Sequence, residues 1–196
     1  MKVFVALAVV IAVVIGLAAW GIGVNNELVT RDQAVSAQAA QVQNVYQRRA
    51  DLVPNLVETV KGFAAQERTV LEEVTRARAS ASGVQLTPEA LADPQALRRF
   101  QEAQAQLGGA LGRLLVTVER YPELRSNQNF LALQSQLEGT ENRIAVERMR
   151  FNDTVRDYNT LLKRFPASLV ASLRGFGETA YFEAAPGSEV APKVRF

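Results

Sequence analysis

The sequence predicts an all-α protein, with an N-terminal transmembrane helix followed by an antiparallel four-helix-type bundle of long helices. An apolar run, Val3–Val24, contains no charged side chain. The rest of the chain repeats apolar residues at spacings of three and four, and no segment alternates with period two for long enough to form a sheet. We therefore divide the chain into a transmembrane anchor (1–25), a helical bundle (26–183) and a flexible C-terminal tail (184–196).

The N-terminal apolar run is long enough to cross a bilayer. At 1.5 Å per residue, Val3–Val24 forms about 33 Å of helix, against a hydrocarbon core of roughly 30 Å. A cleaved signal peptide is the alternative interpretation, because Lys2 precedes the apolar residues. We favour a retained anchor, since the run exceeds the usual apolar length of a signal peptide and no small-x-small cleavage site ends it.

Small residues recur along one face of this span, at spacings of four, four, three and four. Such a stripe lets two transmembrane helices approach closely, which predicts self-association. The alternative is that Ala and Gly are simply common in membrane spans. The predicted packing face consists of Ala8, Ala12, Gly16, Ala19 and Gly23.

The charges beside the span leave its orientation open. Lys2 and the amino terminus favour a cytoplasmic N-terminus, which would place the bundle outside the cytoplasm. Beyond the span, Arg31 is accompanied by Glu27 and Asp32. The bias therefore rests on a difference of about one charge.

The first two bundle helices are predicted to meet at a corner. No Pro or Gly lies between Gly23 and Arg49, so the span is expected to continue into a long first helix. Asp51 as an N-cap and Pro54 in a first turn predict a break and a restart. The second helix would then end near Ser82-Gly83. The predicted corner comprises Arg48, Arg49, Asp51, Pro54 and Asn55.

Two further long helices follow. Asp93-Pro94 supplies an N-cap and a first-turn proline for the third helix, which Tyr121-Pro122 is expected to end. The fourth is expected to run from about Asn127 to Arg164, and Phe165–Leu173 could add a short helix. Four amphipathic helices joined by short turns bury their apolar stripes against one another, which predicts a bundle.

Composition excludes many function classes. The chain has neither cysteine nor histidine, which removes thiolate catalysis, Cys-based zinc sites, imidazole acid–base chemistry and the Glu-x-x-His pairs of di-iron bundles. Acidic and basic residues alternate around a net charge of +2, without the clustered basic surface that nucleic-acid binding requires. We therefore predict no catalytic, cofactor-binding or metal-binding residues, and a protein that is not an enzyme.

Three charged residues interrupt apolar stripes and form the candidate polar network: Glu67, Glu141 and Arg148. A charge inside a bundle must be paired and hydrogen-bonded, or it costs several kcal/mol. Three interpretations stay open. They are a pocket for a small ligand, a network that fixes helix register as buried polar residues do in coiled coils, and a solvated edge.

Several segments resemble the LemA family: NELVTRDQAVSAQ, RRADLVPNLVETVKGFAAQE and GFGETAYFE. The resemblance implies a membrane-anchored bacterial protein with a four-helix-type bundle, which predicts a single-pass protein of the inner membrane. Some family members hold the bundle in the cytoplasm, against the orientation that Lys2 favours. The chain departs from the family at Gln38, where Trp is frequent, at Gln66, where His is frequent, and at Phe151, where Tyr is usual.

The sequence thus predicts a membrane-anchored scaffold or protein-interaction module. Its expected partners are the lipid bilayer and either further copies of itself or other membrane proteins, with no nucleic acid and no cofactor. A helical bundle that senses a small ligand and signals through its first helix is the alternative.

Overall fold

A computed structural model describes residues 1–183, so the tail predicted over residues 184–196 lies outside the described residues. Residues 1–183 contain helices and no strand, which confirms the all-α prediction. The helices are α1 (Lys2–Lys61), α2 (Arg68–Ser82), α3 (Pro88–Ala92), α4 (Pro94–Val118), α5 (Pro122–Arg125), α6 (Gln128–Lys163) and α7 (Ala167–Arg174).

Helix α1 is 60 residues long, which corresponds to about 90 Å. Its first part is apolar and exposed on all sides, and it is long and apolar enough to cross a membrane. From Leu28 onward only one face is buried, as in an amphipathic bundle helix. The long first helix is confirmed. The buried residues of α1 are Leu28, Val35, Ala39, Val42, Tyr46, Arg49, Ala50, Val53, Leu56 and Val60.

The predicted corner is wrong, because α1 continues through Pro54 to Lys61. A proline inside a helix lacks the N–H that would bond the carbonyl four residues earlier, which here belongs to the buried Ala50. Arg78 of α2 supplies the missing donor: its Nε donates to the Ala50 carbonyl oxygen at 2.8 Å. A side chain from another helix thus lets proline sit in mid-helix.

The other members of the predicted corner therefore lie along a continuous helix. Arg48, Asp51 and Asn55 are exposed, and Asp51 accepts a hydrogen bond from the Gln47 side chain at 2.8 Å. Arg49 alone points into the bundle.

The chain turns instead between Lys61 and Arg68. Ala64 in this turn is fully buried, and its N–H donates to the Val60 carbonyl at 2.8 Å. The Glu67 carboxylate accepts from the Tyr121 hydroxyl at 2.7 Å and from the Arg120 guanidinium at 3.2 Å. The hydrogen bond to Glu67 raises the pKa of Tyr121. These contacts tie the turn to the end of α4.

The predicted starts of the third and fourth helices are confirmed by their caps. The Asp93 carboxylate accepts from the Gln95 N–H at 2.9 Å, and the Asn127 side chain accepts from the Phe130 N–H at 3.1 Å. Helix α1 packs antiparallel along α6, while α2 packs on α4 and on α1. The remaining short helices connect these four or pack at their ends.

The buried apolar residues form two separate clusters along the bundle. The near core lies toward the apolar N-terminal segment and includes Leu28, Tyr46, Phe100, Ile144, Phe151 and Phe182. The far core lies beyond it and includes Val53, Leu56, Leu107, Leu114, Phe130 and Leu137. Polar residues occupy the boundary between the two cores.

Candidate functional site

Arg49 is the centre of the polar boundary between the near core and the far core. It is only 4% exposed, although charged side chains are rarely buried without a partner. Gln104 of α4 and Glu141 of α6 contact it from two other helices. We call these three residues the arginine layer.

Hydrogen bonds surround most of the Arg49 guanidinium. Nη1 donates to Glu141 Oε2 at 2.9 Å, and Nη2 donates to the backbone oxygen and Oε1 of Gln104 at 2.9 and 2.8 Å. Its central carbon lies 5.1 Å from the ring centroid of Tyr46, within the range of a cation–π contact. The Gln104 amide also donates to the Ala81 carbonyl at 3.2 Å, so the layer joins α1, α2, α4 and α6.

The chemistry of this layer favours a structural role. Arginine offers only donors and does not lose its proton in proteins, so it does not act as an acid or a base. Burial raises the pKa of Tyr46, which keeps the phenol neutral beside it. Glu141 is 61% exposed, and its charge is therefore partly solvated. Within residues 1–183, no group of acidic side chains is placed to hold a metal ion.

The three residues predicted to form one polar network lie in three places. Glu67 bonds Tyr121 and Arg120 in the turn before α2, whereas Glu141 belongs to the arginine layer. Arg148 donates to the Glu183 carbonyl at 2.6 Å. The single network is therefore wrong. Glu141 and Arg148 are seven positions apart on α6, which is about 10 Å along the helix axis, so they meet different neighbours.

A second polar arrangement, which the sequence did not predict, holds residues 175–183 against α6. We call these residues the C-terminal strap. The Asn159 side chain donates to the Thr179 carbonyl at 2.9 Å and accepts from the Thr179 N–H at 3.0 Å. Asn152 makes the same pair of bonds with the backbone of Phe182, both at 2.9 Å. Two asparagines seven positions apart thus clamp the strap.

The clamp places Phe182 inside the near core. Phe182 is 5% exposed and packs edge-to-face on Phe151, with ring centroids 5.1 Å apart. Arg148 covers the same ring, its guanidinium carbon 5.2 Å from the centroid. The strap therefore completes the near core, since such aromatic contacts stabilise beyond the area they bury.

Replacing Asn159 with Ala should release this part of the strap. The Thr179 N–H and carbonyl lose both partners, so we expect amide hydrogen exchange at Thr179 to accelerate by about tenfold, equivalent to roughly 1.4 kcal/mol of local stability. Asn142→Ala is the matched control, because Asn142 is an exposed asparagine on the same helix. Equal protection of Thr179 in both variants would contradict the clamp.

The positions where the chain departs from the LemA pattern all have structural contacts. The Gln38 side chain donates to Glu147 Oε2 at 2.7 Å, and the Gln66 side chain donates to the Tyr121 hydroxyl at 3.0 Å. Phe151 is fully buried against Phe182. The contacts favour a packing role for Phe151 and hydrogen-bonding roles for Gln38 and Gln66.

The predicted packing face of the span is exposed along α1. A Cβ added at Gly16 or Gly23 would meet no atom within 4 Å. Within residues 1–183 of a single copy nothing packs against Gly16 or Gly23, so the role of this face in self-association stays a prediction.

A long apolar N-terminal helix that continues into a helical bundle is typical of membrane-associated helical-bundle proteins. The model of the LemA family matches residues 38–196, and the chain belongs to that family. This match covers the arginine layer and the strap.

The curated relatives carry two kinds of name. The chain is 27% identical to magnetosome protein MamQ of Magnetospirillum gryphiswaldense over 180 residues, covering 84% of this chain and 66% of the relative. A MamQ of Paramagnetospirillum magneticum matches equally, at 27%. Protein LemA of Metamycoplasma hominis is 20% identical over 163 residues, covering 83% of this chain and 70% of that protein. The chain thus spans about two thirds of the MamQ length, 66%.

Proposed function

We propose that this chain is a non-catalytic scaffold, anchored in a bacterial inner membrane by a single pass of α1 and self-associating through the small-residue face of that span. The observation that carries the proposal is the 60-residue helix α1, which is at once the apolar segment and the first helix of the bundle. A bundle that shares a helix with its anchor is held close to the bilayer, as a membrane scaffold requires.

The arginine layer supports the same proposal. Arg49 is the most buried charged residue of the described bundle, and its hydrogen bonds and those of Gln104 join four helices. The guanidinium of Arg49 offers no acid–base or nucleophilic chemistry. The word magnetosome in the name of MamQ belongs to that relative. For this chain we propose only that it is part of a larger assembly.

Self-association predicts a specific change in mass. We expect the complex formed by the Gly16→Leu/Gly23→Leu variant in mild detergent to contain fewer copies of the chain than the complex of the unaltered protein. Larger side chains separate helices that pack through small residues. Gly16→Ala/Gly23→Ala keeps the face small and is the matched control. Native mass measurements that are equal for the three proteins would contradict packing through this face. Proteins that copurify with the native complex would identify its partners.

The side of the membrane that holds the bundle can be determined directly. Lys2 favours a bundle outside the cytoplasm, so a C-terminal reporter active only in the periplasm should give signal. A signal from a cytoplasm-only reporter would reverse that orientation and would leave the scaffold role intact.

A sensory bundle is the second candidate function, favoured by the absence of any break in α1 between the apolar segment and the arginine layer. A ligand bound in the bundle could then shift a helix that enters the membrane. Such a ligand would raise the thermal stability of the purified chain by RT ln(1+[L]/Kd). A scaffold keeps the same melting temperature and the same mass across a panel of metabolites.

A further inference from the structure

Helix α7 lies beside the end of the apolar N-terminal segment. Val170 and Leu173 of α7 line a shared surface groove with Ala18, Gly21 and Ile22 of α1. The Arg174 Nε also donates to the Asn25 side chain at 3.1 Å. These contacts place α7 at the level where Val3–Val24 ends.

Helix α7 directs two of its large apolar side chains outward, unlike a typical helix on a water-exposed surface. Its buried residues are small, Ala167 and Ala171, while Leu169 and Leu173 are 56% and 86% exposed. These leucines are four positions apart and share one face. Phe165, just before the helix, is 81% exposed. A group of exposed large apolar side chains beside an apolar span is typical of a surface that contacts a membrane or another protein.

We propose that α7 and Phe165 lie in the interfacial layer of the bilayer that α1 crosses, with Phe165, Leu169 and Leu173 inserted among the acyl chains. This inference rests on the proposed anchoring of α1. Lipid is the expected partner of this face, because the exposed face of α7 is continuous with the exposed apolar surface of the span. Ile22 in that surface is 63% exposed.

The residues around α7 suit that depth. Trp20 lies on α1 near the same level and is 41% exposed, and tryptophan is enriched where a span leaves the hydrocarbon. Arg164 and Arg174 stand at the two ends of the apolar segment 165–173. Long cationic side chains in such positions reach the lipid phosphates while their neighbours insert.

An interfacial helix beside the span would be a second contact with the membrane, and it would restrict the orientation of the bundle. One transmembrane helix alone leaves the bundle free to rotate and tilt about the span, whereas a helix lying in the interface beside it fixes one side of the bundle toward the lipid. The far end of α4, with its exposed Val116, would then always point away from the membrane.

The test uses single cysteines, which the cysteine-free full chain accepts cleanly. Leu169→Cys, Leu173→Cys, Ile11→Cys and Val116→Cys are labelled with the environment-sensitive fluorophore NBD and reconstituted into vesicles of phosphatidylcholine and phosphatidylglycerol. Vesicles that contain acyl-brominated lipid should quench the labels at positions 169 and 173 by about twofold, as expected for side chains 5–10 Å into the headgroup and acyl boundary. The label at position 116 should not be quenched.

The label at Ile11 separates this inference from the anchor on which it rests. Quenching at position 11 without quenching at 169 and 173 overturns the interfacial helix and leaves the anchor standing. Absence of quenching at position 11 overturns both. A blue-shifted but unquenched label at 169 and 173 also overturns the inference, because it shows protein rather than lipid covering α7.

Discussion

The Arg49→Met substitution is expected to lower the free energy of unfolding of the bundle by about 2 kcal/mol. Methionine fills much of the same space, so the loss comes mainly from the hydrogen bonds. Oε1 of Gln104, a residue only 7% exposed, is left without its donor. Removing the guanidinium also removes the cost of burying its charge, and Glu141 remains solvated. The loss of stability is therefore smaller than that caused by breaking a fully buried ion pair.

Arg48→Met is the matched control, because Arg48 is the exposed neighbour of Arg49 on the same helix. We expect a change within about 0.5 kcal/mol there. Arg148→Met removes the hydrogen bonds of Arg148 to the strap, at 2.6 Å, and to Gln101 of α4, at 3.4 Å, and should cost about 1 kcal/mol. Pulse proteolysis in urea, on the full chain in detergent, measures all three. An Arg49→Met variant as stable as the Arg48→Met variant would contradict a structural role for the arginine layer.

The Pro54→Ala substitution should act in the opposite direction and raise the free energy of unfolding by about 2 kcal/mol. Proline in a helix interior costs about 3 kcal/mol relative to alanine, and the bond from Arg78 to the Ala50 carbonyl offsets part of that cost. The substitution would return an N–H to the same carbonyl and extend the regular hydrogen bonding of α1.

A double-mutant cycle isolates this compensation. Arg78→Met alone should cost about 1 kcal/mol, and it should cost close to zero in the Pro54→Ala background, where the Ala50 carbonyl no longer needs Arg78. Arg76→Met, an exposed arginine on the same helix, is the control. Strict additivity of Pro54→Ala and Arg78→Met would show that Arg78 does not replace the missing donor.

The sequence predicted the elements whose signals are local. Asp93 and Asn127 begin helices α4 and α6 by capping N–H groups a few residues away, so their neighbours alone determine the outcome. Asp51 and Pro54 carry equally good local signals for a start, and they failed. Their outcome depends on Arg78, a donor 28 positions further along the chain than the carbonyl it bonds. Tertiary contacts of this kind are invisible to local patterns.

The candidate site was only partly predictable for a related reason. Arg49 occupies an apolar stripe between Tyr46 and Val53, a signal that could have identified it as buried, yet it was assigned to the predicted corner. Glu141 stands out in the sequence as a charge within an apolar stripe, but its partner comes from α1. The strap depends on Asn152 and Asn159, whose spacing of seven marks one helix face without indicating what that face binds.

The central claim is that the first bundle helix continues without a break from the end of the apolar segment through Pro54 to Lys61. Spin labels at Val29→Cys and Glu58→Cys, two exposed positions of α1 on either side of Pro54, test it by electron–electron double resonance in nanodiscs. A continuous helix predicts a narrow distance distribution centred near about 44 Å at 1.5 Å per residue. A corner at Asp51 would fold position 58 back along the first helix and give about 25 Å. That shorter distance would contradict the account.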